Sequence, residues 1–132
     1  MIVLDTHVWV WWLNDPGSLP PRARKAVTRA AADRGIYISS ISAWEVALLV
    51  LRHRLQFTMA AHDWVAHSEA LPFLHFVPVD NRIAMRSVDL PEPFHHDPAD
   101  RIVVATALIM GAPVVTSDRR IIKYPHVETI WK

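Results

Sequence analysis

The stretch "MIVLDTHVWVWWLN", residues 1–14, opens with a short apolar run, passes through one acid and continues as an aromatic segment. The run MIVL is β-branched and wholly apolar, which is typical of a strand buried on both faces of its sheet. Such a strand needs helices on both sides, and HVWVWWLN predicts the first of them. So short a helix cannot bury Trp9, Trp11 and Trp12 on one side. We therefore expect one or two of these rings in the core and the others at an interface.

Further along the chain, strand-like runs alternate with helical patterns. Strands are predicted at IYIS, HFVPV, PVVTS and HVETIW, the last at an edge. Helices are predicted over residues 20–34, 42–55, 59–71, 81–90 and 97–111, with Gly35 and Gly111 as stops. This alternation predicts an α/β fold, a three-layer α/β/α sandwich around a mainly parallel sheet. No linker or repeat interrupts residues 1–132, so we expect a single domain.

Composition restricts the classes of function. Hydrophobic residues make up 52% of the chain and charged residues 20%, as in a globular protein. The absence of cysteine excludes disulfides, thiolate catalysis and cysteine-based zinc sites. A net charge of +1 leaves nucleic-acid binding to local patches. Since the opening lacks a secretory pattern and no apolar run is long enough to span a membrane, we expect a cytoplasmic protein.

Acidic residues recur where a predicted strand meets a helix: Asp5, Glu45, Asp97, Asp100 and Asp118. Because the carboxyl ends of parallel strands meet at one edge of the sheet, we expect these side chains to converge there. Carboxylates that close together repel and raise one another's pKa values, so a cluster is stable mainly around a divalent cation. Hard oxygen ligands favour Mg²⁺ or Mn²⁺.

Each acid also has a local interpretation as a helix cap. Ser42 and Glu45 match the S-x-x-E capping box, and Asp97 before Pro98 is a good helix start. Asp118 is placed to cap the turn that follows it, whereas Asp5 is harder to explain in this way. For Asp97 capping is the favoured interpretation. The shared placement of the other acids favours a common site over several independent caps.

Four segments together resemble the motif blocks of PIN-domain ribonucleases, and most closely those of VapC toxins from type II toxin–antitoxin modules: LDTHVWVWWL at 4–13, ISAWEVALL at 41–49, HHDPADRIVVATA at 95–107 and VVTSD at 114–118. The resemblance covers essentially the whole chain. It implies a PIN-like fold and metal-dependent endonucleolytic cleavage of RNA, with Mg²⁺ or Mn²⁺ as cofactor. It also implies a VapB-like antitoxin as partner and assembly as a homodimer.

The same resemblance assigns roles to individual residues. It identifies four acids as catalytic and metal-binding: Asp5, Glu45, Asp100 and Asp118. Thr6, Asp97 and Thr116 match supporting positions, with Asp97 the less certain metal ligand.

Several basic residues lie next to these acids in the sequence. Arg101, Arg119 and Arg120 are interpreted as contacts to the RNA backbone, with ordinary solvated surface as the alternative. His95 and His96 are interpreted as an exposed loop pair with a role in substrate contact, because zinc-binding spacing is missing. His7 is interpreted as a surface histidine.

Two other functions remain open. One is a catalytically inactive PIN scaffold that binds RNA or protein. The other is a receiver-like, Mg²⁺-binding phosphoacceptor domain. The second fits less well, because that family has paired acids after the first strand and a lysine after the last. This chain offers Asp5 alone and the tail VETIWK.

Overall fold

The computed structural model describes residues 1–132 as a five-stranded sheet with helices on both faces. The strands are β1 (Ile2–Leu4), β2 (Ile36–Ser39), β3 (Leu74–Val77), β4 (Val114–Val115) and β5 (Thr129–Ile130). The helices are α1 (Thr6–Asn14), α2 (Pro21–Ala32), α3 (Ser40–Leu51), α4 (Ala61–Glu69), α5 (Asn81–Val88), α6 (Pro98–Met110) and α7 (Arg119–Ile122). None of these helices is long and apolar enough to cross a membrane.

The sheet has the strand order β3-β2-β1-β4-β5, and every neighbouring pair is parallel. The α/β prediction is therefore confirmed, with a sheet that is wholly rather than mainly parallel. β1 lies at the centre, as its apolar sequence predicts, and all three of its residues are buried. The carboxyl ends of β1, β2 and β4 point to the same edge, where Asp5, α3 and Asp118 follow them.

Alternate residues of the central strands face opposite layers. Ile2 and Leu4 pack into a cluster with residues of α1, α2 and α4. Val3 lies in a second cluster with Val103 and Ala107 of α6. Because a side-chain period of two sends neighbouring residues to opposite faces, one short strand joins both layers. α6 thus packs on the face of the sheet to which Val3 points, and its first turn lies at the edge that carries the acids.

The start of α3 differs from the prediction. The helix begins at Ser40, and its N-cap is Ser39, whose hydroxyl accepts from the Ile41 N–H. Ser42 therefore lies inside the helix, and the capping-box interpretation of Ser42 with Glu45 is wrong. Because Glu45 is not needed as a cap, its carboxylate is free to turn towards β1.

The tryptophans of α1 lie in different environments. Trp9 is fully buried, contacts the rings of Trp64 and Phe76, and donates from Nε1 to Ser68 Oγ at 3.2 Å. Trp11 and Trp12 are half-buried against other aromatic rings. The most exposed tryptophan is Trp44 on α3, at 56%. One ring of α1 is therefore core, and the interface candidate on α3 was not predicted.

Candidate active site

Asp5 is the first residue after β1 and is only 4% exposed. It caps α1, since its Oδ1 accepts from the Thr6 N–H at 2.9 Å. Its Oδ2 accepts from the Thr116 hydroxyl at 2.7 Å. The Thr116 hydroxyl in turn accepts from the Asp118 N–H at 3.0 Å. The acid after β1 is therefore tied to the loop after β4, which carries a second acid.

Thr6 connects Asp5 to Glu45 of α3. Its hydroxyl donates to Glu45 Oε1 at 2.6 Å, and Ser42 Oγ lies 2.8 Å from the Thr6 hydroxyl oxygen. An ionised carboxylate can only accept, so the Thr6 proton points to Glu45 and Ser42 supplies its own proton to Thr6. Burial raises the pKa of Glu45, the Thr6 hydrogen bond partly offsets this, and nearby Asp5 raises it further.

Asp100 lies in the first turn of α6 and is 8% exposed. Burial, followed by the charges of Asp5, Asp97 and Asp118, raises its pKa to about 7, although Arg120 pulls in the opposite direction. A carboxyl with this pKa is half-protonated near neutral pH. Its charged form therefore lacks enough positive charge around it, which is the situation that a bound cation would relieve.

His95 contacts Asp100 from the loop before α6. Its Nε2 lies 3.2 Å from Asp100 Oδ2 but makes no well-aligned hydrogen bond. Burial and the nearby Arg120 lower the pKa of His95. Because Nδ1 accepts from the Asp97 N–H at 3.3 Å, the proton of the neutral ring is on Nε2 and faces the acids. The prediction of an exposed loop histidine is wrong for His95 and correct for His96.

Asp118 caps α7 and is held by Arg120. Arg120 Nη2 lies 3.1 Å from Asp118 Oδ2 and 3.3 Å from Asp100 Oδ2. Partial burial alone would raise the pKa of Asp118, but the hydrogen bonds and charge of Arg120 outweigh it and lower the pKa below its usual value. The guanidinium thus supplies the positive charge that two of the acids share.

Asp97 occupies the N-cap of α6, where its Oδ1 accepts from the Asp100 N–H at 3.1 Å, and it is exposed. It raises the pKa values of both Asp100 and Glu45, so it lies within electrostatic range of the centre. Three of the acids, Asp5, Asp97 and Asp118, therefore cap helices and face the same centre. Capping and convergence are not alternatives here.

The donor set fits a hard divalent cation. It consists of carboxylate oxygens without sulfur, and buried Asp100 lacks sufficient compensating charge. The side chains do not form a finished coordination shell, because no three acids or histidines are close enough to hold an ion in their present positions. Arg120 reaches two of the acids instead. The residues match Mg²⁺ or Mn²⁺ in chemistry, and some of the side chains must move to enclose the ion.

The raised pKa of Asp100 predicts an unusual dependence of stability on pH. Without metal, the folded protein keeps a proton on Asp100 that the unfolded chain releases between its ordinary pKa of 3.8 and about 7. Stability should therefore fall as pH rises through that window. Asp100→Asn should remove this slope and stabilise the metal-free protein at pH 8 by on the order of a few kcal/mol. Urea unfolding in EDTA at several pH values measures both effects.

Exposed Asp33 on the C-terminal side of α2 provides the matched control, because Asp33→Asn makes the same chemical change outside the site. This variant should keep the wild-type slope. Saturating Mg²⁺ should flatten the slope of the wild type by favouring the charged carboxylate. A wild-type protein that grows more stable from pH 4 to pH 7 relative to Asp100→Asn would contradict the assignment.

The structure gives Arg101 a role different from the predicted RNA contact. Its guanidinium donates to four main-chain carbonyls, those of Ser87, Val88, Phe94 and His95, at 2.8–3.3 Å. These bonds join the end of α5 to the loop that carries His95. Because its donors are already engaged within the chain, Arg101 holds the loop against α6 rather than presenting a free charge to a ligand.

Arg101→Ala should destabilise the protein by about 2 kcal/mol, since hydrogen bonds that involve a charged group are each worth more than neutral ones. Arg101→Lys should restore little of the lost stability, because one ammonium group cannot reach both the carbonyls at the end of α5 and those of the loop. Thermal unfolding monitored by circular dichroism measures the loss. Arg82→Ala, at an exposed position of α5, is the control, and an equal loss there would contradict the bracing role.

His7 also has a position that the sequence does not reveal. Its Nε2 contacts the Ser117 hydroxyl at 2.9 Å and accepts from the Ser117 N–H at 3.2 Å. Its Nδ1 lies 3.6 Å from Asp5 Oδ2. His7 is half-buried rather than freely exposed, and it ties α1 to the loop that carries Thr116 and Asp118, a role that the surface interpretation did not include. Its spacing two residues after Asp5 was the only available signal.

Comparison with known proteins agrees with this geometry. Residues 2–127 match the PIN domain family. Ribonuclease VapC22 of Mycobacterium tuberculosis is 32% identical over 132 residues, covering 98% of each chain. The fold is similar to that of VapBC2 from Rickettsia felis bound to a promoter DNA fragment, with a TM-score of 0.71 and 17% identity over 98% of this chain and 97% of that one. It is also similar to DNA-bound VapBC from Salmonella typhimurium, with a TM-score of 0.66 and 19% identity over 98% and 97%. The carboxylates at the edge of this parallel sheet, the match across nearly the whole chain and the shared fold lead to one conclusion: the protein belongs to the PIN-domain family.

Proposed function

We propose that this protein is a divalent-metal-dependent endoribonuclease and the toxin of a VapBC-type toxin–antitoxin module. The observation that carries the proposal is a set of acids at one edge of the sheet: Asp5, Asp97 and Asp118 lie close enough to buried Asp100 to help raise its pKa to about 7, and Thr6 joins Asp5 to Glu45. The similarity to a ribonuclease over 98% of the chain supports RNA as the substrate. We take residues 1–132 as one PIN domain that acts in the cytoplasm, where RNA is available.

In this proposal the four acids would hold Mg²⁺ or Mn²⁺, which would supply an activated water at neutral pH and charge compensation at the scissile phosphate. Thr6 and Thr116 keep the carboxylates of Glu45 and Asp5 oriented through the hydrogen bonds described above. The Thr6 hydroxyl occupies only Oε1 of Glu45 and leaves Oε2 available. Both oxygens of Asp5 already accept one hydrogen bond each, from the Thr116 hydroxyl and the Thr6 N–H, and a carboxylate oxygen has a second lone pair with which it could bind an ion.

Arg120 has a second role in the proposal. Its side chain is 59% exposed and is held only by Asp100 and Asp118. A cation held by Asp100 and Asp118 would compete with Arg120 for these acids and would free the guanidinium at the rim of the site. There it can bind a phosphate of the RNA with two parallel hydrogen bonds. His95 Nε2–H faces the same space and offers a further donor.

A VapB-like antitoxin has a matching surface beside the acids. A groove of about 420 Å³ is lined by Trp44, Leu48 and Leu49 of α3 and reaches Glu45 and Asp97. An amphipathic segment lying in this groove would cover the entrance to the acidic centre. Exposed Met85 and Val88 of α5, at 67% and 74%, offer a separate apolar surface for a second copy of the chain.

RNA cleavage by the purified protein tests the proposed activity. Total RNA incubated with Mg²⁺ or Mn²⁺ should be cut at defined sites, and EDTA should abolish cutting. The products should lack a 2′,3′-cyclic phosphate, because a bound water rather than the ribose 2′-hydroxyl attacks the phosphorus. Sequencing of the cut ends with and without phosphatase treatment reveals this chemistry. Cyclic ends, or cutting that persists in EDTA, would indicate a contaminating nuclease.

The toxin role needs a separate readout. Expression of the wild-type chain in a bacterial host should arrest growth, and co-expression of its cognate antitoxin should restore it. Trp44→Ala should weaken the complex with the antitoxin without changing RNA cleavage. If the protein binds RNA but cleaves none with any divalent metal, it is the inactive scaffold instead.

A further inference from the structure

A cleft of about 550 Å³ lies beside the acidic centre, beyond the carboxyl ends of β4 and β5. We call it the cationic cleft and define it by Arg22 of α2, Arg119 and Lys123 on and beside α7, and Trp131 and Lys132 after β5. Ser117 and Thr129 complete much of its polar wall. No acidic residue lines it. In a protein whose net charge is only +1, this is a strong local concentration of positive charge.

The cations of this cleft have no aspartate or glutamate partner. None of Arg22, Arg119, Lys123 and Lys132 lies within 4.0 Å of such a side chain, and all four residues are exposed. Arg22 Nη1 donates to the main-chain oxygen of Lys132, the last residue described, at 3.0 Å, which joins the two walls. Four like charges facing one groove repel one another, and a polyanion in the groove would offset this repulsion.

The positive charge continues along α2. Arg22 also lines a neighbouring cleft with Lys25 and Arg29. Asp33 lines the same cleft but lies within salt-bridge distance of neither Lys25 nor Arg29. Positions 22, 25 and 29 share one face of a helix and extend over roughly 10 Å at 1.5 Å per residue. The cationic cleft is therefore one end of a track rather than a pocket for a small ion.

The track begins at the acidic centre. Ser117 lines the cleft and lies between Thr116, which holds Asp5, and Asp118 in the sequence. His7 contacts Ser117 and packs edge-on against Trp11 and Trp131. The lining residue Ser117 is thus next to Asp118 in the sequence, and its other neighbour, Thr116, is hydrogen-bonded to Asp5, so the cleft adjoins two of the proposed metal ligands.

An aromatic surface accompanies the charges. The half-buried indole of Trp131 lies 5.9 Å from that of Trp11 and also lines the cleft. A surface that binds single-stranded nucleic acid usually has two elements: positive charges along a groove, which contact the phosphates, and aromatic rings, on which the bases stack.

We propose that the cationic cleft binds the single-stranded RNA that flanks the scissile phosphate, with phosphates along Arg22, Lys123 and Lys25 and a base against Trp131. This inference rests on the proposed ribonuclease function and extends it from the cleavage point to the path of the strand. The cleft compensates for the acids, which would otherwise repel the substrate.

The proposed path of the RNA strand is tested by measuring RNA binding in a variant that does not cleave RNA. In an Asp5→Asn background with Mg²⁺, fluorescence anisotropy of a labelled single-stranded oligoribonucleotide is followed over a range of KCl concentrations. Replacing Arg22 and Lys123 by Gln should weaken binding several-fold and reduce the slope of log K against log salt by about 1.4, since each phosphate contact to a single strand contributes about 0.7. The same replacement of Arg82 and Arg86 on α5, outside both clefts, should leave the slope unchanged.

The aromatic wall has its own variants. Trp131→Ala should weaken binding at least about fivefold, and Trp131→Phe should restore most of it, because a phenyl ring still offers a stacking face. Thermal unfolding of both variants separates lost stacking from lost packing against Trp11. Competition by poly-glutamate at matched charge should be weak.

Each result decides the proposal. An unchanged slope for the Arg22 and Lys123 variant would overturn the cleft as the RNA path, even if the wild-type protein cleaves RNA efficiently. Equal competition by poly-glutamate would also overturn it, in favour of an acidic polypeptide as occupant. Failure of the wild-type protein to cut any RNA would instead remove the proposed function, and the binding data would identify an RNA-binding scaffold.

Discussion

Asp5→Asn should reduce RNA cleavage by at least about a thousandfold while leaving the fold intact. Metal-assisted charge stabilisation is worth several kcal/mol in the transition state, and each 1.36 kcal/mol is a factor of ten in rate. Asp5 is the buried acid at the centre of the site, so its loss removes a proposed ligand that no neighbour can replace. Single-turnover cleavage of an identified RNA site gives the rate constant directly.

The fold should survive because asparagine is nearly isosteric with aspartate. Its side-chain oxygen can still accept from the Thr6 N–H and cap α1, and the Thr116 hydroxyl can rotate to meet the amide. Thermal unfolding and circular dichroism should therefore resemble those of the wild type. Asp63→Asn, which neutralises an exposed acid in the first turn of α4, is the matched control and should cleave normally. An Asp5→Asn protein with full activity would refute the acidic centre as the active site.

Trp9→Ala should destabilise the protein by about 3–5 kcal/mol, the range for removing a large buried aromatic side chain. The wild-type ring is fully buried, contacts Trp64 and Phe76, and donates a hydrogen bond to Ser68. The alanine variant loses all of these contacts. For a domain of ordinary stability this is a large share of the total. Urea unfolding followed by far-UV circular dichroism measures the change.

Trp44→Ala is the matched control, because Trp44 is 56% exposed on α3. Its effect on unfolding should stay within about 0.5 kcal/mol. If the two variants lost equal stability, or if Trp9→Ala lost less than about 1 kcal/mol, the assignment of Trp9 to the core would be wrong. A Trp9 variant too unstable to purify would be replaced by Trp9→Phe, which keeps part of the packing and should lose less.

The sheet and the convergence of the acids are predictable because both depend on order along the chain. A wholly apolar strand such as MIVL is stable only when helices pack on both faces of its sheet, and parallel strands place the residues that follow them at one edge of that sheet. The positions of Asp5 and Asp118 follow from that topology alone. The exact start of α3 does not, because Ser39, Ser40 and Ser42 are all suitable N-cap residues in the sequence, and the structure uses Ser39.

The contacts of individual side chains depend on segments that are distant in sequence. In the sequence Arg101 resembles a surface cation beside an acid, and only the fold surrounds it with two carbonyls from the end of α5 and two from the loop before α6. His95 resembles His96 in the sequence, and only the same loop turns one towards Asp100 and the other to solvent. The cationic cleft joins α2, α7 and the end of β5, which become neighbours through the position of β5 beside β4.

The hydrogen bond between Asp5 and Thr116 joins residues 111 positions apart, and β4 pairs directly with β1. The centre therefore cannot assemble until nearly all of the described chain has left the ribosome and β4 has docked. During synthesis the early acids lack Thr116, Asp118 and Arg120, so a nascent chain carries no complete site. For an enzyme proposed to cut RNA, this order of assembly delays activity until the last strands of the sheet have been synthesised and have docked.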